Sequence, residues 1–387
     1  MTAAVPSHSG LNEWFTAFQR QSHSPAALGE LKNRPKPEAF GGGMSGASAG
    51  LFVAAQALVL KWDHLENVLA EATARNNRAE QAANVSWLRA LGASHIAMHP
   101  HPATGDLFGV IAYPYFGPMR SEDRRVGNFQ EVIRKEFVAG GNAPSVIDDF
   151  EFLFATLLDK RFQPFYPNND GVIPASTLVQ DLPDLAKFDE FLNIARGLTK
   201  TSRAEKAIEA LDAWADKVIG VHQPPAFPDS RLVHGDPRFA NIMVNPIART
   251  VELIDFGAGA PGRHVFHDLA RFEVDVLLRT TPTSPRKKST RTTEIQLRVA
   301  ALLAENKGTA PPTSPEVRIA SVWRSVRDSR FGQLHNDEPR ALYALFIANE
   351  LLRRLKWHHE GNSLDNVGAT VPEIFTAIES VVSDVPR

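Results

Sequence analysis

The stretch "LVHGDPRFANIMVN", residues 232–245, decides how this chain is read, together with "VELIDFGAG" at 251–259. An apolar lead-in delivers His234, Gly235 and Asp236; Asn241 follows after four intervening residues, and Asp255 closes a second apolar run. Two short strands, "IMV" and "VELI", would set Asn241 beside Asp255. Taken alone, "HGD" fits a tight turn in which Asp and Asn cap backbone groups. The same residues also supply what phosphoryl transfer requires. A carboxylate must orient or deprotonate an attacking hydroxyl, and oxygen ligands must hold Mg²⁺, which takes one or two carboxylate or amide oxygens beside the phosphates. The turn reading weakens once a glycine loop and a lysine are found upstream in the matching order.

That loop is "GGGMSG" (41–46), which fits G-x-G-x-x-G. Asp63 even lies about 20 residues on, where a dinucleotide-binding fold places its ribose-binding acid. Such a fold needs a buried parallel strand directly before the glycines. The residues there are "KNRPKPEAF", with two prolines and four charges, and a central strand cannot be built from them. No G-K-[ST] follows either, which excludes the P-loop. The remaining mechanism is a hairpin between antiparallel strands, whose glycines let backbone N–H groups approach a triphosphate. It expects a lysine at the end of the next strand, and "LFVAAQALVLKW" (51–62), read as a strand, carries Lys61 there. It also expects a helical carboxylate to hold that lysine. Glu80, on a helix over 75–91, is the choice; Glu66 and Glu71 rank behind it because they precede the "RNN" break. Against this stands a flexible loop, a solvated lysine and a surface glutamate.

Elsewhere the pattern divides the chain. Residues 10–34 read as helical, with Ser24 as N-cap and Pro25 at the first helical position. "HIAMH" and "LFGVIAYPYF" read as strands. From about 119 onward helices dominate: "DDFEFLFATLLDKRF", "DLAKFDEFLNIARGL", "RAEKAIEALDAWADKVIGV", "HDLARFEVDVLLRT", "EIQLRVAALLAEN" and "RALYALFIANELLRRLKWHH". "TTPTSPRKKSTRTT" (280–293) and "KGTAPPTSPE" (307–316) read as exposed loops. The fold class is therefore α+β, a small strand-rich part ahead of a larger helical one.

With these residues in order, the chain resembles the aminoglycoside phosphotransferase/choline kinase family of kinase-like enzymes. "HGDPRFAN" is similar to that family's catalytic loop, "LIDFG" to its metal-binding segment, and "HDLARF" (267–272) to the segment whose Asp buttresses the loop. The resemblance spans about 37–360. It implies a two-lobed protein-kinase-like fold: an N-terminal helical extension (1–36), a small antiparallel-sheet lobe (37–117) and a mainly helical catalytic and substrate-binding lobe (118–387). ATP or GTP would lie between the lobes, with "AYPYFG" (112–117) as the hinge and Tyr113 and Tyr115 at the nucleotide. Asp236 would be the catalytic base or the hydroxyl-positioning group, and Asn241 and Asp255 the Mg²⁺ ligands. Lys61 would meet the α- and β-phosphates, Glu80 would pair with Lys61, and Ser45 and Gly46 would sit at the loop tip. His234 and Asp268 would be structural. Many members carry Leu-His-Pro-Gly where this chain has "PRFA". Arg238 therefore joins the catalytic candidates: it meets a phosphate or an anionic acceptor, or it salt-bridges within the loop.

Composition sets the outer limits. A net charge of −2 gives no electrostatic footprint for nucleic acid. No apolar run reaches the roughly 18 residues of a membrane span. The absence of cysteine excludes disulfides and thiolate metal sites, and an N-terminus without a secretory pattern makes the cytoplasm the expected location. His95, His99, His101, and the pair His264 and His267, have spacings zinc can use, but a surface role fits the first group better. Trp87, Trp214 and Trp323 read as core. The expected activity is ATP-dependent phosphotransfer to a hydroxyl of a small molecule of the aminoglycoside or amino-alcohol class. The alternatives are a kinase-like enzyme that modifies a protein and a non-catalytic nucleotide-binding module. Oligomeric state is not legible.

Overall fold

The computed structural model describes residues 16, 38–39, 48–52, 58–71, 94–97, 107–114, 127–129, 144–162, 179–220, 229–230, 234–245, 250–253, 263–278, 288–303, 315–361, 364 and 369–384. The described part is mostly helical with a small antiparallel sheet, and the chain falls into two compact units that divide near residue 123. The expected helices over 10–34 and 75–92 lie outside the described residues.

The first unit holds strands β1 (Glu38–Ala39), β2 (Ser48–Phe52), β3 (Leu58–His64), β4 (Ser94–Ala97) and β5 (Phe108–Pro114). They form one antiparallel sheet in the order β1-β2-β3-β5-β4. The proline-flanked β1 is an edge strand, as its composition requires. The glycine stretch 41–46 thus connects two paired antiparallel strands, β1 and β2. Residues 51–62 are not one strand, contrary to expectation. Leu51 and Phe52 end β2, and Leu58 opens β3 directly opposite Phe52. In β3 the two-residue period turns Leu60 and Trp62 into the core and leaves Lys61 on the other face. Asp63 then accepts from the His64 amide and from Asn67 Nδ2, at the start of a helical segment over 65–71.

The second unit is helical around two small sheets. Its helices are α1 (Pro144–Thr156), α2 (Phe188–Leu198), α3 (Ser202–Ile219), α4 (Phe266–Leu278), α5 (Lys288–Leu303), α6 (Pro315–Arg330), α7 (Asp337–His359) and α8 (Val371–Asp384). Strands β6 (Gly127–Asn128), β8 (Ile242–Asn245) and β9 (Thr250–Leu253) form one sheet; β7 (Asp229–Ser230) pairs with β10 (Arg263–His264). The stretch 280–293 is not a loop throughout, because α5 begins at Lys288. Pro315 likewise opens α6 in the N1 position where a missing N–H costs nothing, and Glu316 behind it is buried.

An aromatic cluster fills the space between α1, α4, α6 and the loop before β8. Phe239 packs on Phe129 at 4.9 Å and on Phe272 at 5.1 Å, and Phe272 on Trp323 at 4.4 Å. Trp214 and Trp323 are core residues, as expected. Beside the cluster lies the buried carboxylate of Glu273. It accepts from Arg327 Nη1 at 2.8 Å, from Trp323 Nε1 at 2.9 Å and from the Tyr343 hydroxyl. A charge in the core is tolerable only when it is paired and hydrogen-bonded in this way. Among the described residues no helix is long and apolar enough to cross a membrane.

Candidate active site

The loop 234–241 is held by the helix that follows it in the sequence. Asp268, in the first turn of α4 and fully buried, accepts from the His234 amide at 2.5 Å and the Gly235 amide at 2.9 Å. Two turns later Asp275 accepts from the Phe239 amide at 2.8 Å, and Arg354 of α7 donates to its other oxygen at 3.0 Å. Gly235 has φ of +87°, which a side chain would strain. The Asp236 amide donates back to His234 Nδ1 at 3.2 Å, so His234 acts as a local brace. The loop closes in a single 3₁₀ turn, Phe239–Asn241, with Phe239 driven into the aromatic cluster.

This closure brings two of the expected site residues together. Asn241 Nδ2 donates to the Asp236 carbonyl at 2.9 Å and to its Oδ2 at 3.2 Å. The amide nitrogen is thereby engaged, and the carbonyl oxygen of Asn241 is the atom suited to a hard cation. Strand β8 leaves Asn241 and pairs with β9, Ile242 opposite Leu253, so the two short strands expected around "IMV" and "VELI" do form a hairpin. Asp255, two residues past β9, lies outside the described residues. Among those described, no group of three or more His, Asp or Glu is arranged to hold a metal.

Three guanidinium groups dominate the electrostatics. Arg238 is ion-paired with Asp236 Oδ2, within the loop, and Arg271 Nη1 reaches Asp236 Oδ1 at 3.5 Å. Arg271 Nε also meets Glu350 Oε1 at 3.2 Å, and Arg353 meets Glu350 Oε2 at 2.8 Å. Burial alone would raise the Asp236 pKa, but Arg271, Arg238 and Arg353 outweigh it and hold the carboxyl far below the usual carboxylate range. Glu350 behaves alike: burial raises it, while Arg353 and Arg271 bring it down to about 2.

The histidine pair has a different use from zinc binding. His267 Nδ1 lies 2.9 Å from Asp184, and its Nε2 is 3.3 Å from the Gly235 carbonyl. Asp184 also accepts from the His264 amide at 2.9 Å, and its own carbonyl takes Asn349 Nδ2 at 2.9 Å. His264 Nδ1 accepts from the Phe266 amide at 3.1 Å, and burial pushes its pKa down to about 4 against the pull of Asp184. The His264 ring holds the start of α4, and the His267 ring ties that helix to Asp184 and to the backbone of the loop 234–241.

In the first unit Lys61 Nζ is ion-paired with Glu71 Oε2 at 2.7 Å, both side chains largely buried. The expected partner, Glu80, lies outside the described residues; among those described, Lys61 meets Glu71, a lower-ranked alternative, in the helical segment 65–71 that follows β3. The helical segment described over 65–71 buries Val68 and carries Glu71 to Lys61. Tyr113 lies in β5 opposite Val59; Ser45, Gly46 and Tyr115 lie outside the described residues.

Sequence reasoning passed over Arg271, Asp275, Glu350 and Arg353. Some signal was present: Arg271 sits three residues after Asp268, one turn along the same helix, and "ELLR" spaces Glu350 and Arg353 by three on α7. No family model matches the chain, and no curated protein is similar to it. A solved structure of amicoumacin kinase, in complex with AMP-PNP, Ca²⁺ and Ami, is similar over 88% of each chain, at 13% identity and a TM-score of 0.39.

Proposed function

We propose that the chain is an ATP-dependent phosphotransferase that moves the γ-phosphate to a hydroxyl of a small molecule, with Mg²⁺. The observation that carries this reading is the 3.2 Å contact of Asp236 with Asn241, in the loop that runs straight into the β8–β9 hairpin and from it to Asp255. A turn whose polar residues served only as caps would not need the dedicated support of two buried carboxylates, Asp268 and Asp275. The same reading takes residues 37–117 as the nucleotide-binding lobe and 118–387 as the catalytic and substrate-binding lobe of a kinase-like fold, with ATP or GTP as donor.

Asp236 then aligns the acceptor hydroxyl for in-line attack. Its carboxyl is held too acidic to be an effective proton acceptor near neutrality, which favours orientation over general-base catalysis. Phosphoryl transfer tolerates this, because the loose transition state asks mainly for positioning and charge stabilisation. Lys61, held by Glu71, meets phosphate oxygens. Asn241 Oδ1 and the Asp255 carboxylate are the groups suited to Mg²⁺, which when bound neutralises charge on the phosphates.

The test incubates the protein with γ-labelled ATP, Mg²⁺ and a panel of amino alcohols, sugars, hydroxy acids and aminoglycosides. Label transfer should fall about 100-fold or more in Asp236→Asn and be lost in Asp255→Ala. Equal nucleotide affinity and equal transfer in wild type and Asp255→Ala would refute the assignment.

A further inference from the structure

Anchoring of the loop backbone by Asp268 and Asp275 leaves the Asp236 carboxylate free about its own side-chain torsions. Contacts at both of its oxygens fix them. Oδ2 takes Asn241 Nδ2 at 3.2 Å and Arg238, and Oδ1 meets Arg271 Nη1 at 3.5 Å. Of the charges acting on this carboxyl, that of Arg271 is the strongest, ahead of Arg238 and Arg353. Arg271 is itself held from outside the loop. Its Nε donates to Glu350 Oε1 at 3.2 Å, and Arg353 Nε donates to the other oxygen of Glu350 at 2.8 Å. Glu350 is buried on α7, and residues beside it brace the same region: Asn349 donates to the Asp184 carbonyl and Arg354 to Asp275. The charges balance without a ligand, because Arg238, Arg271 and Arg353 stand against Asp236, Asp268 and Glu350. Burying ion pairs of this kind seldom gains stability over apolar side chains of the same size. A rigid guanidinium plane engaged through two of its nitrogens does transmit orientation.

We infer that Arg271 and Glu350 are positioning residues: Glu350 sets the plane of the Arg271 guanidinium, and Arg271 sets the plane of the Asp236 carboxylate on which the acceptor hydroxyl lines up. This rests on the phosphotransfer reading and adds to it two residues, from α4 and α7, that act through Asp236 rather than on the reacting atoms. In the reaction the acceptor hydroxyl oxygen bonds to the γ-phosphorus, the bond from that phosphorus to the β–γ bridging oxygen breaks, ADP departs, and the hydroxyl proton passes to solvent. A tilted carboxylate misaligns the attacking oxygen without changing how MgATP is held, so the loss belongs in kcat.

The test follows steady-state label transfer from γ-labelled ATP in the full chain, to whichever member of the panel accepts it and to water where none does. Arg271→Gln and Glu350→Gln should each lower kcat about tenfold or more, with KM for MgATP within about threefold of wild type. Arg271→Lys keeps the charge without the planar fork and should recover kcat only in part. A loss that runs through Asp236 cannot be taken twice. Arg271→Gln should therefore add less than about twofold to Asp236→Asn, and Glu350→Gln less than about twofold to Arg271→Gln. Far-UV circular dichroism checks that each variant is folded; should Arg271→Gln not fold, Arg271→Lys carries the same cycles. Losses that multiply in full in both cycles would make the two residues supports of the fold alone and overturn the inference. So would a folded Arg271→Gln with kcat within about twofold of wild type while wild type transfers label, and phosphotransfer would then stand without it. If wild type binds no MgATP, or passes label neither to the panel nor to water, the phosphotransfer reading itself fails and the inference with it.

Discussion

Replacing Asp268 by Asn changes one atom, and its cost can be worked from the geometry. The carboxylate accepts two amide N–H groups, of His234 and Gly235, at 2.5 and 2.9 Å, in a site with no exposure. An Asn side chain offers one acceptor oxygen, so its NH₂ must face the second amide. A hydrogen bond to a charged group is worth about 1.5–3 kcal/mol, and a buried N–H left without a partner costs a further 1–3 kcal/mol or so. Together these come to about 2.5–6 kcal/mol, a large share of the roughly 5–15 kcal/mol that keeps a domain folded. With a slope of about 3 kcal/mol/M, the urea midpoint should fall by about 1 M or more. Far-UV circular dichroism, dominated by the helical second unit, follows the transition. Glu379→Gln is the control: its pair with Arg203 is solvated, and the expected change is within about 1 kcal/mol. An Asp268→Asn midpoint that matches the control would refute the claim that α4 holds the loop.

Three further outcomes are expected. Glu71→Gln should lower MgATP affinity about tenfold in a fluorescent-nucleotide titration, since Lys61 then lacks its 2.7 Å partner; Glu80→Gln should change it less, and the reverse order would make Glu80 the partner that matters. Arg327→Met leaves the Glu273 charge buried without its guanidinium and should cost about 3–5 kcal/mol in urea unfolding, whereas a loss below 1 kcal/mol would show that Trp323 and Tyr343 suffice. His264 has its pKa pushed from 6.5 to about 4 on folding, so the unfolded chain takes up a proton first as pH falls. Its contribution is present above pH 6.5 and is lost as pH falls toward 4, about 3 kcal/mol in all. His264→Asn keeps an acceptor for the Phe266 amide and should flatten that part of the stability–pH curve; an unchanged slope would sink the assignment.

Local signals read well where one element decided them. The antiparallel hairpin around the glycines was legible because Pro35, Pro37 and the charges beside them rule out any strand but an edge. The β8–β9 hairpin and the meeting of Asp236 with Asn241 were legible because both lie in one short segment. What was not legible needed packing between elements. Glu71 was ranked behind Glu80 from a break in helical pattern, and its 2.7 Å contact with Lys61 was not foreseen, while Glu80 lies outside the described residues. Asp275 and Arg353 carry no motif, and their roles follow from α4 and α7 lying against the loop and each other. The basic run near 285–291 looked like a loop because its residues are polar, although α5 starts within it at Lys288.

The anchoring of the loop also sets which of its residues are free to diversify. His234, Gly235 and Phe239 have their amides fixed by Asp268 and Asp275, and Asn241 is fixed by Asp236. Pro237, which has no N–H, and Arg238, whose amide donates to the Asp236 carbonyl at 2.8 Å, fall inside that bracket. Exchanges at these two positions leave the anchors on either side in place, and an exchange of Arg238 removes its ion pair with Asp236. On the phosphotransfer reading, acceptor preference can change at positions 237 and 238 of "PRFA" while Phe239 keeps its place in the core, and a library confined to these two positions tests that.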